Sequence, residues 1–156
     1  MEIAILGLGC FWSPEIKFSK LEGIIKTEVG YCGGHNAQTN YKEVCSGTTN
    51  HAEVVKLDFD PKIITFEQIL KYFFEFHDPT TLNSQGPDFG TQYSSEIFYL
   101  SQKKLHLIYV LFQTLFQDFY FLMACAKNSQ LFLPGQYFFL TNLYLLRTYY
   151  LFSKYL

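Results

Sequence analysis

Two hydrophobic periods alternate through the first hundred residues, and their order restricts the chain to few folds. Glu2 to Leu6 is a short apolar run closed by glycines, the pattern of a buried strand. Ser13-Pro14 predicts a helix N-cap followed by proline at the first helical position, with Ile16 and Leu21 on its apolar face and Gly23 at its end. Ile25, Thr27, Val29 and Tyr31 alternate with Lys26, Glu28 and Gly30 as a half-buried strand. After a polar loop, Glu53 to Phe59 alternates again and stops at Asp60-Pro61. Thr65 and Gln68 make a capping box, behind which Phe66, Ile69, Leu70, Phe73 and Phe74 line one face of an amphipathic helix. Residues 78–92 form a long polar loop, and Glu96 to Leu100 reads as a last strand. This order predicts an α+β fold, a ferredoxin-like βαββαβ two-layer sandwich with both helices on one face of a mixed or antiparallel sheet.

The pattern breaks near residue 100. Residues 1–100 carry 7 Lys and 13 Asp/Glu, a net charge of −6; residues 101–156 carry 5 Lys/Arg and one acid, Asp118, a net charge of +4. The second part also holds 15 of the 30 aromatic residues in about a third of the length. Two units are therefore expected: residues 1–101, catalytic, and residues 102–156, an atypical, aromatic-rich, apolar C-terminal segment of divergent character. The abruptness of the change after Lys104 points to a shifted reading frame or an inaccurate sequence as its origin. A divergent folded segment and an interfacial membrane segment are the other readings, although Gln113, Gln117, Asp118, Asn142 and Arg147 interrupt the apolar stretches.

Composition removes several classes. A net charge of −2 leaves no footprint for nucleic acid. Four cysteines in 156 residues are too few for a disulfide scaffold, so reduced thiols in the cytoplasm are expected. No basic region precedes the first apolar run, so a secretory signal is not expected either.

Cys10 lies between a strand end and a helix N-terminus, where unpaired amides and the helix dipole favour a thiolate. An inert buried thiol is the alternative, because free cysteine is commonly buried. Phe11 and Trp12, the one tryptophan, follow it and either pack the core or wall an apolar pocket. Cys10, Cys32, His35, Cys45, His51 and His77 could also supply a metal-binding module, but only Cys32 and His35 have pair-like spacing.

A set of motifs then narrows the choice: Gly9-Cys10-Phe11-Trp12 with Glu15, Gly30-Tyr31-Cys32-Gly33-Gly34, and Tyr41 through Thr49. His51-Ala52-Glu53-Val54-Val55, Phe76-His77-Asp78-Pro79-Thr80 and Gly86 through Ser95 continue it. Residues 3–100 thereby resemble the A-type peptide methionine sulfoxide reductases. The resemblance implies thiol-dependent reduction of methionine-S-sulfoxide, free or in oxidised proteins, with no metal or organic cofactor. It implies Cys10 as nucleophile and Glu53 as the acid that protonates the sulfoxide oxygen. For that role Glu53 must be neutral near pH 7, which burial on an apolar strand would achieve. Tyr41 and Tyr93 are implied as hydroxyl donors to the sulfoxide oxygen, Asp88 as a holder of substrate and water, and Phe11 and Trp12 as the site of the S-methyl group. His51 and Glu15 are expected to support rather than react.

The implied cycle leaves a sulfenic acid on Cys10, which a second thiol condenses to a disulfide and thioredoxin or another thiol reduces. Cys125 is the candidate resolving thiol, although Leu122-Met123-Ala124 before it is not the glycine-rich setting the family implies. Cys32 and Cys45 are expected to be structural. The tail departs from the family, since Phe132-Leu133-Pro134-Gly135-Gln136-Tyr137 lacks the Glu and His of the corresponding family segment. An inactive or membrane-tethered relative is the competing reading.

Overall fold

The computed structural model describes residues 1–36, 38–115, 146–148 and 152–154. The strands are β1 (Glu2–Leu8), β2 (Ile24–Cys32), β3 (Ala52–Phe59), β4 (Ser84–Gln85), β5 (Asp88–Phe89), β6 (Ser95–Tyr99), β7 (Leu146–Thr148) and β8 (Phe152–Lys154). The helices are α1 (Trp12–Phe18), α2 (Tyr41–Cys45), α3 (Phe66–Phe76) and α4 (Gln102–Leu115), with a 3-10 turn at Thr91–Tyr93.

Among the described residues the main sheet has the order β7-β6-β1-β3-β2-β8. The four inner strands are antiparallel to one another: β1 aligns Leu6 with Val55 of β3 and Leu8 with Ser95 of β6, and β2 aligns Tyr31 with Glu53. β8 joins β2 antiparallel and β7 joins β6 parallel. The fold is thus mixed α/β on a largely antiparallel sheet.

Alternation along the strands sorts their side chains into two clusters. Leu6, Leu8, Tyr31, Val55, Leu57, Phe59 and Ile97 turn toward the helices, where Phe18, Ile69, Leu70 and Phe73 meet them. Each such fully buried side chain is worth about 1.5–3 kcal/mol. Ile5, Cys32, Ala52, Val54 and Phe98 form a smaller cluster on the reverse face and are also buried. Asp and Glu are largely kept out of both clusters, which makes the exceptions informative.

α3 forms as its sequence predicts. Thr65 accepts from the Gln68 N–H while the Gln68 side chain accepts from the Thr65 N–H, so both halves of the capping box are made. α1 begins earlier than predicted: Phe11, not Ser13, is the N-cap, and no side chain of its own caps it. Pro14 then falls third in the helix, still within the first turn, where a missing N–H costs no intrahelical bond. The predicted polar loop between β2 and β3 contains α2, begun by Asn40, whose side chain accepts from the Glu43 N–H.

α4 carries the main core beyond residue 101, burying Ile108 and Leu111. Lys104 ties it to the sheet by donating to the Ile3 carbonyl, pairing with Glu2 and lying over the Phe59 and Phe66 rings. No described helix is long and apolar enough to cross a membrane.

Candidate active site

β1 ends at Leu8 and the chain turns sharply through Gly9 into Cys10. Gly9 has φ of 81°, a left-handed conformation that favours glycine. Space also demands it, because a Cβ on Gly9 would lie 2.6 Å from Cβ of Gln85. Cys10 is left half-buried at the mouth of α1.

The uncapped start of α1 finds its acceptor across the fold. The Phe11 N–H donates to Oε2 of Glu53 at 3.2 Å. Glu53 stands near the start of β3, opposite Tyr31 and on the helix-facing side, and is 4% exposed. Burial pushes its carboxyl up to about 7, the nearby Asp88 charge adds to this, and the Phe11 N–H works against both. At neutral pH this carboxyl is therefore protonated in a large fraction of molecules, which a solvated glutamate would not be.

The thiol differs from its sequence expectation. Burial raises Cys10 above the usual cysteine value, and the charges of Glu53 and Asp88 raise it further, while a hydrogen bond from the Trp12 backbone opposes them. The expected helix-dipole depression is outweighed: α1 has only seven residues, and burial first, then the charges of Glu53 and Asp88, disfavour the thiolate. Each charge added nearby makes loss of the thiol proton harder, so neutral Glu53 and thiolate Cys10 favour one another.

Tyr93, half-buried in the 3-10 turn, has its hydroxyl raised by burial first and then by Glu53, Asp88 and Cys10, which places it in the same electrostatic neighbourhood. Asp88 reaches that neighbourhood from β5. Tyr41, on α2, is 55% exposed; its hydroxyl is raised chiefly by a hydrogen bond with Cys45, with smaller effects of Tyr93 and Glu53. Phe11 is buried and meets Trp12 edge-to-face, the centroids 5.3 Å apart. Trp12 itself is 54% exposed, so the pair offers an apolar wall with one ring open to solvent beside Cys10.

The remaining candidates have local duties. His51 is buried and bonds the Asn36 carbonyl through Nε2, and Glu15 accepts from the Thr27 hydroxyl. His77 bonds the Phe73 carbonyl at 2.6 Å and the Ser95 hydroxyl at 2.7 Å. Cys32 is buried in the reverse-face cluster, whereas Cys45 is exposed. Cys125 lies outside the described residues. Among the described residues no three His, Cys, Asp or Glu side chains converge as a metal site, so the six candidate ligands do not assemble. Sequence reasoning passed over Gln85, the residue packed on Gly9; only the polarity of its loop hinted at it.

A half-buried thiol on a glycine turn, a buried carboxyl of raised pKa, tyrosine hydroxyls and an aromatic wall are the groups that a thiol-based oxidoreductase needs. Residues 2–132 match the family "Peptide methionine sulfoxide reductase", and the chain belongs to that family. It is 79% identical over 104 residues to the peptide methionine sulfoxide reductase MsrA of Pelagibacter ubique, which covers 67% of this chain and 71% of that protein. Four further relatives are matched over between 54% and 61% of their length, and the peptide methionine sulfoxide reductase MsrA of Acinetobacter baumannii, 42% identical, over 87% of this chain and 79% of its own length. Reduced Mxr1 from Saccharomyces cerevisiae superimposes with a TM-score of 0.70 at 37% identity, covering 75% of this chain and 69% of Mxr1. A structure of Mxr1 in complex with Trx2 shares the fold at 24% identity, with a TM-score of 0.54, over 75% of this chain and 67% of that one.

Proposed function

We propose that this chain reduces methionine-S-sulfoxide, free or in oxidised proteins, to methionine, with Cys10 as nucleophile and Glu53 as acid. The observation that carries the reading is a buried carboxyl whose pKa of about 7 leaves it a proton to give, in the electrostatic field of a half-buried thiol. A sulfoxide oxygen leaves poorly unless protonated, and an ionised glutamate could not protonate it.

Cys10 sulfur attacks the sulfoxide sulfur as Glu53 protonates the oxygen. The oxygen ends on Cys10 as a sulfenic acid, and methionine departs as the two-electron-reduced thioether. Tyr41 and Tyr93 donate to the oxygen during transfer, Asp88 holds substrate and a water, and Phe11 with Trp12 receives the S-methyl group. A second thiol then displaces water from the sulfenic acid to give a disulfide, and a thioredoxin-type dithiol reduces that disulfide. The Mxr1–Trx2 pairing favours such a partner. Cys125 is the resolving thiol of this scheme, and no metal or organic cofactor takes part.

The inner strands in the order β6-β1-β3-β2, with α1 and α3 as crossovers, support the finer assignment to a ferredoxin-like βαββαβ sandwich. The described site residues all precede residue 101, which supports residues 1–101 as the catalytic unit even though α4 packs on the same core. Free thiols at Cys10 and Cys45 suit a reducing cytoplasm.

One turnover tests the scheme. Stoichiometric methionine-S-sulfoxide without reductant should yield one methionine per chain and a dimedone adduct at Cys10 by mass spectrometry. Unimpaired turnover by Cys10→Ser would overturn it.

A further inference from the structure

We infer that Gln85 is a positioning residue that clamps the loop bearing Asp88 and Tyr93 against the Gly9–Cys10 turn. Its side-chain amide bridges the root of that loop: Oε1 accepts from the Asp78 N–H at 3.2 Å and Nε2 donates to the Asp78 carbonyl at 3.0 Å. Its methylenes lie on Gly9, since a Cβ there would come within 2.6 Å of the Gln85 Cβ and 2.8 Å of its Cγ. Its backbone pairs with Asp88 across the β4–β5 hairpin. One residue thus touches the turn that presents the nucleophile, Asp88 across the hairpin and the start of the loop.

The rest of the loop is built to hold what Gln85 sets. Gly86-Pro87 closes the hairpin, with Gly86 at φ of 58°, the positive angle such a first turn position takes. The Ser94 hydroxyl donates to the Asn83 side chain at 2.8 Å, and the Gly90 N–H donates to the Asn83 carbonyl at 2.9 Å. These bonds fix the hairpin's shape but lie within the loop. The pairing of Leu8 with Ser95 anchors the far end of the loop to β1, and Gln85 brings the hairpin itself onto the Gly9–Cys10 turn. This role rests on the sulfur chemistry proposed above only for its effect on turnover; the effect on Cys10 itself is independent of it.

The test is the pH profile of Cys10 alkylation by iodoacetamide in the full chain, followed at the Cys10 peptide by mass spectrometry, for the native chain, Gln85→Ala and Gln85→Met. The charged groups that act on Cys10 are Glu53 from β3 and Asp88 from β5, opposed by the hydrogen bond of the Trp12 backbone, and Cys10 in turn acts on Tyr93 in the 3-10 turn. Loosening the hairpin withdraws Asp88, so the profile of both variants should move to lower pH. Single-turnover sulfoxide reduction should fall about tenfold or more, as expected when a reacting constellation is displaced by an ångström. Gln85→Met keeps the methylenes on Gly9 and loses only the amide bridge, so it reports on the clamp even if Gln85→Ala fails to fold. A Gln85→Met chain whose alkylation profile superimposes on the native one overturns the inference, whatever its turnover. A native chain that alkylates at Cys10 but reduces no sulfoxide overturns the proposed function and leaves the clamp to be judged on the profiles alone.

Discussion

Glu53→Gln removes the ionisable group while keeping the size of the side chain and an oxygen to accept from the Phe11 N–H. The Glu53 carboxyl titrates at about 7 in the folded chain against 4.5 ordinarily. At about 1.36 kcal/mol per pKa unit, that difference amounts to about 3 kcal/mol of folding free energy. The folded state binds this proton more tightly than the unfolded state does. The contribution is therefore complete below pH 4.5 and is lost as pH rises through 7. Relative to Glu53→Gln, the native chain should lose about 3 kcal/mol between pH 4.5 and pH 8. Urea unfolding followed by far-UV circular dichroism, at half-unit pH steps and with reductant present, measures the difference between the two proteins at each pH. Because both contain every other titrating group, the difference isolates Glu53. A difference that stays flat across the range, or that favours the native chain increasingly at high pH, would refute the buried, proton-holding carboxyl. The same variant should fail to release methionine in a single turnover.

His77 gives the opposite slope. Burial lowers it to about 4 from 6.5, so the stability it preserves is present above pH 6.5 and lost toward pH 4; His77→Gln should flatten up to about 3 kcal/mol of acid sensitivity in urea titrations. Gly9→Ala combines a left-handed backbone with a collision on Gln85, so it should lower stability by more than about 1 kcal/mol and abolish Cys10 chemistry, read by thermal unfolding and dimedone trapping. Thr65→Ala should cost about 1 kcal/mol in urea unfolding through its lost cap and leave sulfoxide turnover at the native rate. Cys125→Ser should leave the first turnover intact and slow thioredoxin-coupled cycles, as followed by NADPH consumption in a coupled assay.

Local patterns were readable where the cause was local. The start of α3 could be placed to the residue because Thr65 and Gln68 cap it within four positions. α2 was missed because only Val44 of its five residues is buried, too few to show a period. The start of α1 was misplaced because Ser13-Pro14 resembles a cap, while the group that meets its first amide, Glu53, stands 42 residues away. The same distance effect explains Cys10. Its helix is visible in the sequence, but the burial and the Asp88 charge that outweigh the helix come from tertiary packing. Gln85 carries no chemical signature in the sequence; its place in the fold comes from a glycine 76 positions earlier, together with its bonds to Asp78 and its pairing with Asp88.

The edge strands constrain the sheet as a surface. Thr148 ends β7 and Phe152 begins β8, so four steps of chain join strands on opposite edges of the sheet. Six flat strands would hold those edges roughly 24 Å apart at about 4.8 Å per strand. Four steps of chain reach at most about 14 Å. The sheet must therefore curl, bringing its two margins closer together than a flat sheet would. With β8 along β2 and β7 along β6, neither margin of the inner four strands is an open template where those strands pair, and two short strands only four steps apart in sequence blunt both edges against self-assembly.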